Sequence, residues 1–154
     1  MDTTLNKRVL VVDDDPVITD MMLRRLMSDG YAAVGVCDAQ AARKTLADGA
    51  STGTGNQSMD MVLPDIDMPK ISGLDLLREI RQKWSAIDIP VIMVAGRDGT
   101  EDLVQALNQG ANDYVTKPVD FPVLLARIRT HTAMKDLHAQ LKNSHRSLIH
   151  AAKM

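Results

Sequence analysis

"RVLVVDDDP", residues 8–16, joins two kinds of sequence that obey different physics. Val9 to Val12 form an unbroken, β-branched-rich apolar run, as a strand buried on both faces requires. Asp13, Asp14 and Asp15 end it abruptly. Asp15 suits a helix N-cap and Pro16 the first helical position, where a missing N–H costs nothing. Val17, Ile18, Met21, Met22 and Leu26 then recur at helical spacing until "SDG" (28–30) stops the helix. The stretch predicts a buried strand, an acidic turn and a helix.

Outward from it the pattern repeats. "AAVGVC" (32–37) is predicted as strand two, with Cys37 a small buried hydrophobe, and a short helix runs from Asp38 to about Ala47. "DGASTGTGNQS" (48–58) reads as a surface loop, longer than the ~2–6 residues usual there. "DMVL" (60–63) is strand three. "GLDLLREIRQKW" (73–84) is a helix with Leu74, Leu77, Ile80 and Trp84 inward. "IPVIMVA" (89–95) is strand four, and "TEDLVQALNQG" (100–110) a helix capped by Thr100 and ended by Gly110. "DYVTKP" (113–118) is strand five, and a last helix starts near Asp120. Apolar strands alternating with helices imply a parallel sheet covered on both faces, and right-handed crossovers favour the doubly wound α/β arrangement. Its crevice lies beyond the carboxyl ends of the strands.

Composition narrows the function classes. A net charge of −2 gives no basic field for nucleic acid, and no apolar run approaches the ~20 residues of a membrane span. The lone Cys37 forbids an internal disulfide, and no Cys/His cluster points to zinc. A reducing, cytoplasmic setting is expected.

Charge gathers at the strand tips: Asp13–Asp15 after strand one, Asp65 and Asp67 after strand three, Lys117 after strand five. If strands one and three are neighbours, three carboxylates share one crevice. Two unit charges ~4 Å apart repel by about 4 kcal/mol at an effective dielectric of 20, so the cluster needs a cation. Ligands that are all oxygen suit a hard divalent ion, Mg²⁺ above others.

"VLVVDDDP", "MVLPDIDMPKISG" and "DYVTKP", in this order and spacing, resemble the receiver domain of two-component response regulators over roughly residues 7–130. The resemblance implies a flavodoxin-like five-stranded sheet of order 2-1-3-4-5. It implies that Asp65 accepts a phosphoryl group from the phosphohistidine of a histidine kinase or phosphotransfer protein. Asp14 would bind Mg²⁺ directly, Asp13 through water, and Asp67 through its backbone carbonyl. Lys117 would pair with the acceptor carboxylate and then the phosphoryl oxygens, ahead of Pro118 in a cis peptide. A face of the fourth helix, fifth strand and last helix would relay the change.

Three positions depart from the family. Ala95 stands where a Thr or Ser hydroxyl usually bonds the phosphoryl group, so about 1.5–3 kcal/mol of charged hydrogen bonding is missing and coupling to the aromatic switch position, Tyr114, is put in question. Ser72 replaces a common aspartate. Pro64, lacking an N–H, should weaken the ladder before the acceptor. Two rival functions follow: a receiver-like binding module that is never phosphorylated, and a haloacid-dehalogenase-like phosphatase using Asp65 and Asp67. The phosphatase pattern puts its Asp-x-Asp after the first strand, whereas here it follows the third.

The last helix is predicted to overshoot the domain. Residues 1–130 form the receiver and 131–154 a helical extension, similar to linkers leading to histidine kinase or diguanylate cyclase output domains. Met134, Leu137, Leu141, Leu148 and Ala151 follow a 3–4 spacing broken at Ser144, a short heptad seam for a homodimer. His131, His138 and His145, seven apart, read as an exposed polar stripe, since ~10 Å between neighbours is too far to share a metal.

Overall fold

A computed structural model describes residues 7–51, 58–68, 70–96 and 100–153, the side chains of 50, 51, 100 and 145–153 excepted. The alternation read from the sequence is realised as β1 (Arg8–Val12), α1 (Pro16–Ser28), β2 (Ala32–Val36), α2 (Ala39–Ser51), β3 (Met61–Pro64), α3 (Gly73–Lys83), β4 (Ile92–Ala95), α4 (Thr100–Asn108), β5 (Asp113–Thr116) and α5 (Phe121–Lys153). β1 lies between β2 and β3, all parallel, with Val12 level with Val36 and Pro64. β4 and β5 form a second parallel pair, with Ala95 level with Thr116. Two isolated parallel bridges, Val62↔Val91 and Asp65↔Val94, join β3 to β4.

Pro64 explains why that junction is only bridged. Val62 N donates to Pro90 O at 3.0 Å and Ile66 N to Val94 O at 2.9 Å. A parallel ladder alternates its amides between two neighbours, so the amide at 64 is aimed at β4, midway between these bonds, and proline has none to give. The β1 side is intact, with Asp65 N 2.8 Å from Val12 O. The weakened ladder is therefore the one toward β4.

Period two along β1 sorts the core into two layers. Leu10 and Val12 join a cluster with Ala42 and Leu46 of α2, Leu76, Leu77 and Ile80 of α3, and Ala106 of α4. Val9 and Val11 join Met22 and Leu26 of α1 with Leu124 and Ile128 of α5. Each fully buried aliphatic side chain contributes about 1.5–3 kcal/mol, so both faces hold the strands in place. Arg81 ties α3 to the sheet's far edge, giving Nε to Gly110 O, Nη1 to Ile89 O and Nη2 to Asn112 Oδ1, each at 2.8 Å.

Several expectations shift locally. Cys37 is exposed, because β2 ends at Val36, whose carbonyl takes Asp13 N, and Asp38 then turns the chain by accepting Ala41 N at 2.7 Å. Val17 and Met21 are also exposed, leaving Met22 and Leu26 as the buried face of α1. α2 continues to Ser51 rather than ending near Ala47, and residues 52–57 of the expected loop lie outside the described residues. Thr100 is the first residue of α4 rather than its cap. His131 does not belong to an exposed stripe: its side chain is 13% exposed and Nε2 lies 3.1 Å from Asp113 Oδ2. His145 is outside the described side chains.

Replacing Pro64 by valine should supply the missing donor. The new amide is expected to exchange as slowly as those of Val62 and Ile66, joining β3 and β4 in one ladder. Hydrogen exchange read by NMR checks this, and a fast-exchanging residue 64 would place its amide elsewhere.

Candidate functional site

The carboxyl-end edge of the sheet collects its charged groups through short turns. Asp13 follows β1 directly, and its Oδ1 accepts Asp15 N at 2.9 Å. Asp15 Oδ1 in turn accepts Val17 N at 2.9 Å, so the N-cap of α1 and the first acid are built by one turn. Asp65, just past β3, uses the same device, with Oδ1 accepting Asp67 N at 3.1 Å. These side chains are held by backbone donors two residues on, as Asx turns do.

Gly73 lets this edge close. A Cβ there would lie 2.4 Å from Asp65 O, so only glycine lets α3 start against the backbone of Asp65, with Gly73 N bonding Ile66 O at 3.0 Å. Ser72 caps α3 in a reciprocal box with Asp75, which accounts for a serine at this position. Gly73 closes the motif "MVLPDIDMPKISG", but nothing in the sequence points to this contact, which tertiary closure creates.

Lys117 completes the set from β5. Its backbone N donates to Ala95 O at 2.7 Å, and the following peptide to Pro118 is cis. Its Nζ lies 2.9 Å from Asp65 Oδ2 and 3.5 Å from Asp13 Oδ2. Asp13 and Asp65 are 2% and 3% exposed, so the pairing is made out of bulk water. One carboxylate oxygen each from Asp13, Asp14 and Asp65 lie within 4.8 Å of one another, with Asp14 the exposed member.

Burial would lower the Lys117 amine, but its bond to Asp65, then the charges of Asp65 and Asp13, outweigh it and hold it above its ordinary value. The Asp13 carboxyl is pushed up, by burial first and by the Asp65 charge as well, against the opposing bond from Asp15 N. Lys117 is thus a fixed cation facing two buried acids. Three carboxylates against one ammonium leave negative charge uncompensated, and hard oxygen donors at this spacing fit a divalent ion such as Mg²⁺.

The remaining expected residues are distributed as follows. The Asp67 side chain is exposed, its Oδ2 reaching to 3.6 Å from where a Cβ of Gly96 would stand. Ala95 is 1% exposed and brings no hydroxyl, its carbonyl instead anchoring Lys117. Tyr114 is 36% exposed on β5 and, among the described residues, its side chain makes no hydrogen bond with the acids. Pro118 borders the pocket formed with Ile18, Met21 and Phe121 beside Lys117.

The chain is similar to known proteins over most of its length. A family model described as the response regulator receiver domain matches residues 9–129. The sensory transduction protein RegX3 of Mycobacterium tuberculosis is 40% identical over 121 residues, covering 79% of this chain and 48% of its own length. The transcriptional regulatory protein AruR of Pseudomonas aeruginosa is 38% identical over 122 residues, covering 79% and 48%. The chain thus spans about half the length of the curated relatives it matches. A response regulator receiver domain protein from Clostridium thermocellum superposes with a TM-score of 0.76 at 27% identity, covering 85% of this chain and 98% of that one.

The raised Asp13 carboxyl has a stability consequence with a definite sign. A folded value above the ordinary 3.8 means that the folded chain binds more protons than the unfolded chain, so stability falls as pH rises through the window above 3.8. Asp13→Asn keeps the acceptor for Asp15 N and removes the charge. In metal-free buffer at pH 7 it is expected to gain a few degrees in melting temperature, with the advantage shrinking when Mg²⁺ is added. Calorimetry with and without Mg²⁺ checks it; a lower midpoint would mean that Lys117 more than compensates the buried acid.

Proposed function

The chain belongs to the response regulator receiver domain family, and from that premise we propose that it is the phosphoacceptor module of a two-component phosphorelay. Asp65 takes the phosphoryl group from the phosphohistidine of a histidine kinase or phosphotransfer protein. The observation that carries this is the Lys117 ammonium 2.9 Å from a buried Asp65 carboxylate, beside two further acids. As a receiver it is a signalling module.

In the proposed transfer an Asp65 oxygen attacks phosphorus, the phosphorus–nitrogen bond of the donor breaks, and the departing imidazole keeps the electron pair and takes up a proton. Phosphoryl transfer asks the protein mainly for position and charge neutralisation. Asp13, Asp14, Asp65 and the Asp67 carbonyl are the residues that would hold Mg²⁺, with Asp13 acting through water. When bound, the ion neutralises charge on the transferring phosphoryl oxygens. Asp67 N steadies Oδ1 of the acceptor, and Lys117 holds Oδ2 and then follows the charge onto the phosphoryl group. We take β3 and β4 to be neighbours in one sheet of order 2-1-3-4-5, the two bridges across Pro64 supporting it.

Ala95 supports a second reading, a receiver that binds partners without being phosphorylated, since the expected hydroxyl is absent and Tyr114 stays on the rim. One measurement separates the two. Incubation with Mg²⁺ and a small acyl phosphate should add one phosphoryl mass to the intact protein, and Asp65→Asn should abolish it. No gain in wild type would favour the silent module, and catalytic release of phosphate from an ester would favour a phosphatase.

We place the extension at 131–154 and propose that it pairs with a second copy. Met134, Leu137 and Leu141 are 56–60% exposed on α5, at the 3–4 spacing of a heptad seam. Leu148 and Ala151 of that seam are outside the described side chains. Among the described residues no helix is long and apolar enough to cross a membrane, so this apolar row is not a span. Leu137→Glu with Leu141→Glu is expected to weaken dimerisation at least tenfold in sedimentation equilibrium, about 1.4 kcal/mol or more, while leaving the receiver folded. A wild-type chain that is monomeric at high concentration would end the proposal.

A further inference from the structure

Each strand that lends a charged group to the site is tied, at its opposite end, to one helix. β1 leads to Asp13 and begins beside Lys7, whose Nζ pairs with Asp136 of α5. β3 leads to Asp65 and starts beside Asp60, whose Oδ1 takes Lys135 Nζ at 3.1 Å while Oδ2 accepts Arg8 N at 2.8 Å. β5 leads to Lys117 and begins with Asp113, which accepts Arg127 Nη1 at 2.8 Å and lies 3.1 Å from His131 Nε2.

These contacts share one geometry. Arg127, His131 and Lys135 stand four residues apart, so they line one stripe of α5. Among the described residues, every ion pair of α5 goes to one of these three strand starts. Lys7, Asp60, Lys135 and Asp136 have side chains only 20–31% exposed, so the pairs are half-buried rather than solvated. Thr132, fully buried inside the stripe, gives its hydroxyl to Ile128 O at 2.9 Å. Beyond Asp136, none of the described side chains of α5 is buried. The Asp113 carboxyl fits the same picture: burial would raise it, yet the bonds from Tyr114 N, His131 and Arg127 hold it below its ordinary value.

We propose that this stripe is the coupling element between the site and the helical arm. A short strand held by a ladder moves as a rod, so a changed spacing of Asp13, Asp65 and Lys117 reappears at the other ends of β1, β3 and β5, where Arg127, His131, Lys135 and Asp136 sense it. The arm is then reseated at its root, without any need for a hydroxyl at position 95. The proposal rests on phosphorylation of Asp65 as set out above. Asp113 and Asp60 act through the strands and are positioning residues, not catalytic ones.

The test uses the full chain, an acyl phosphate with Mg²⁺, intact mass for uptake, and hydrogen exchange of amides 129–141 for the arm. In wild type, phosphorylation is expected to change exchange across the arm root at least threefold. Asp60→Asn and Asp113→Asn are expected to take up the same mass yet lose that response, and Asp60→Glu, which keeps both the charge toward Lys135 and an acceptor for Arg8 N, should retain it. A clamp that is only structural would lower the melting temperature of the variants but leave the response intact, and that result overturns the proposal. So does a phosphorylated wild type whose arm exchanges unchanged, while the receiver function stands. If wild type gains no mass, the phosphoacceptor reading itself fails and takes the coupling with it.

Discussion

Two buried carboxylates share one ammonium, and the rest of the molecule is arranged to make that tolerable. Lys117 reaches Asp65 at 2.9 Å and Asp13 at 3.5 Å. Repulsion between acids ~4 Å apart is about 4 kcal/mol at an effective dielectric of 20, the same order as either attraction to the lysine. The balance therefore holds only if β1, β3 and β5 deliver their ends to one place. Two apolar layers provide that placement, since Val9 and Val11 face α1 and α5 while Leu10 and Val12 face α2, α3 and α4. Asp14, outside the buried pair, adds to a balance already negative and makes the edge receptive to a cation.

Much of this was legible because burial on both faces leaves an unmistakable trace. A run such as Val9–Val12 has no polar alternation to confuse it, and an acid cluster directly after it has no place except the sheet's edge. Asp15 and Pro16 announced the start of α1 by the same local chemistry that the structure shows. The illegible features depend on which way a group points. Pro64 plainly lacks an N–H, but only the register shows that the loss falls on β4. Val17 and Met21 share helical spacing with Met22 and Leu26, yet α1 buries a narrower face than that spacing suggests. Cys37 looked like strand two because nothing in "GVC" marks where pairing with β1 ends. Gly73 carried no visible cue to its 2.4 Å conflict with Asp65 O, since that contact is created by tertiary closure.

The histidines make the same point about α5. Seven-residue spacing puts His131, His138 and His145 on one face, and one face suggested one fate. The body of the domain divides them, because among the described residues the ion pairs at its lower edge extend along the helix only as far as Asp136. His131 falls inside that reach and meets Asp113; His138 lies beyond it. Periodicity reports the faces of a helix but not how far along its length a neighbour extends.

The absent hydroxyl at position 95 changes what kind of signal the fold can carry. A Thr or Ser there would feel the phosphoryl group by an attractive bond at the tip of β4. Ala95 instead offers only its carbonyl, fixed to Lys117 N at 2.7 Å. Under the proposed phosphorylation, new charge at Asp65 would act on groups that already face it, namely Lys117 and Asp13, which follow strands whose opposite ends meet α5. A fold that is close-packed does not absorb such a change locally, because its layers have no slack to take it up. In the proposed coupling, the helix whose contacts lie at the foot of those strands is the element on which it would fall.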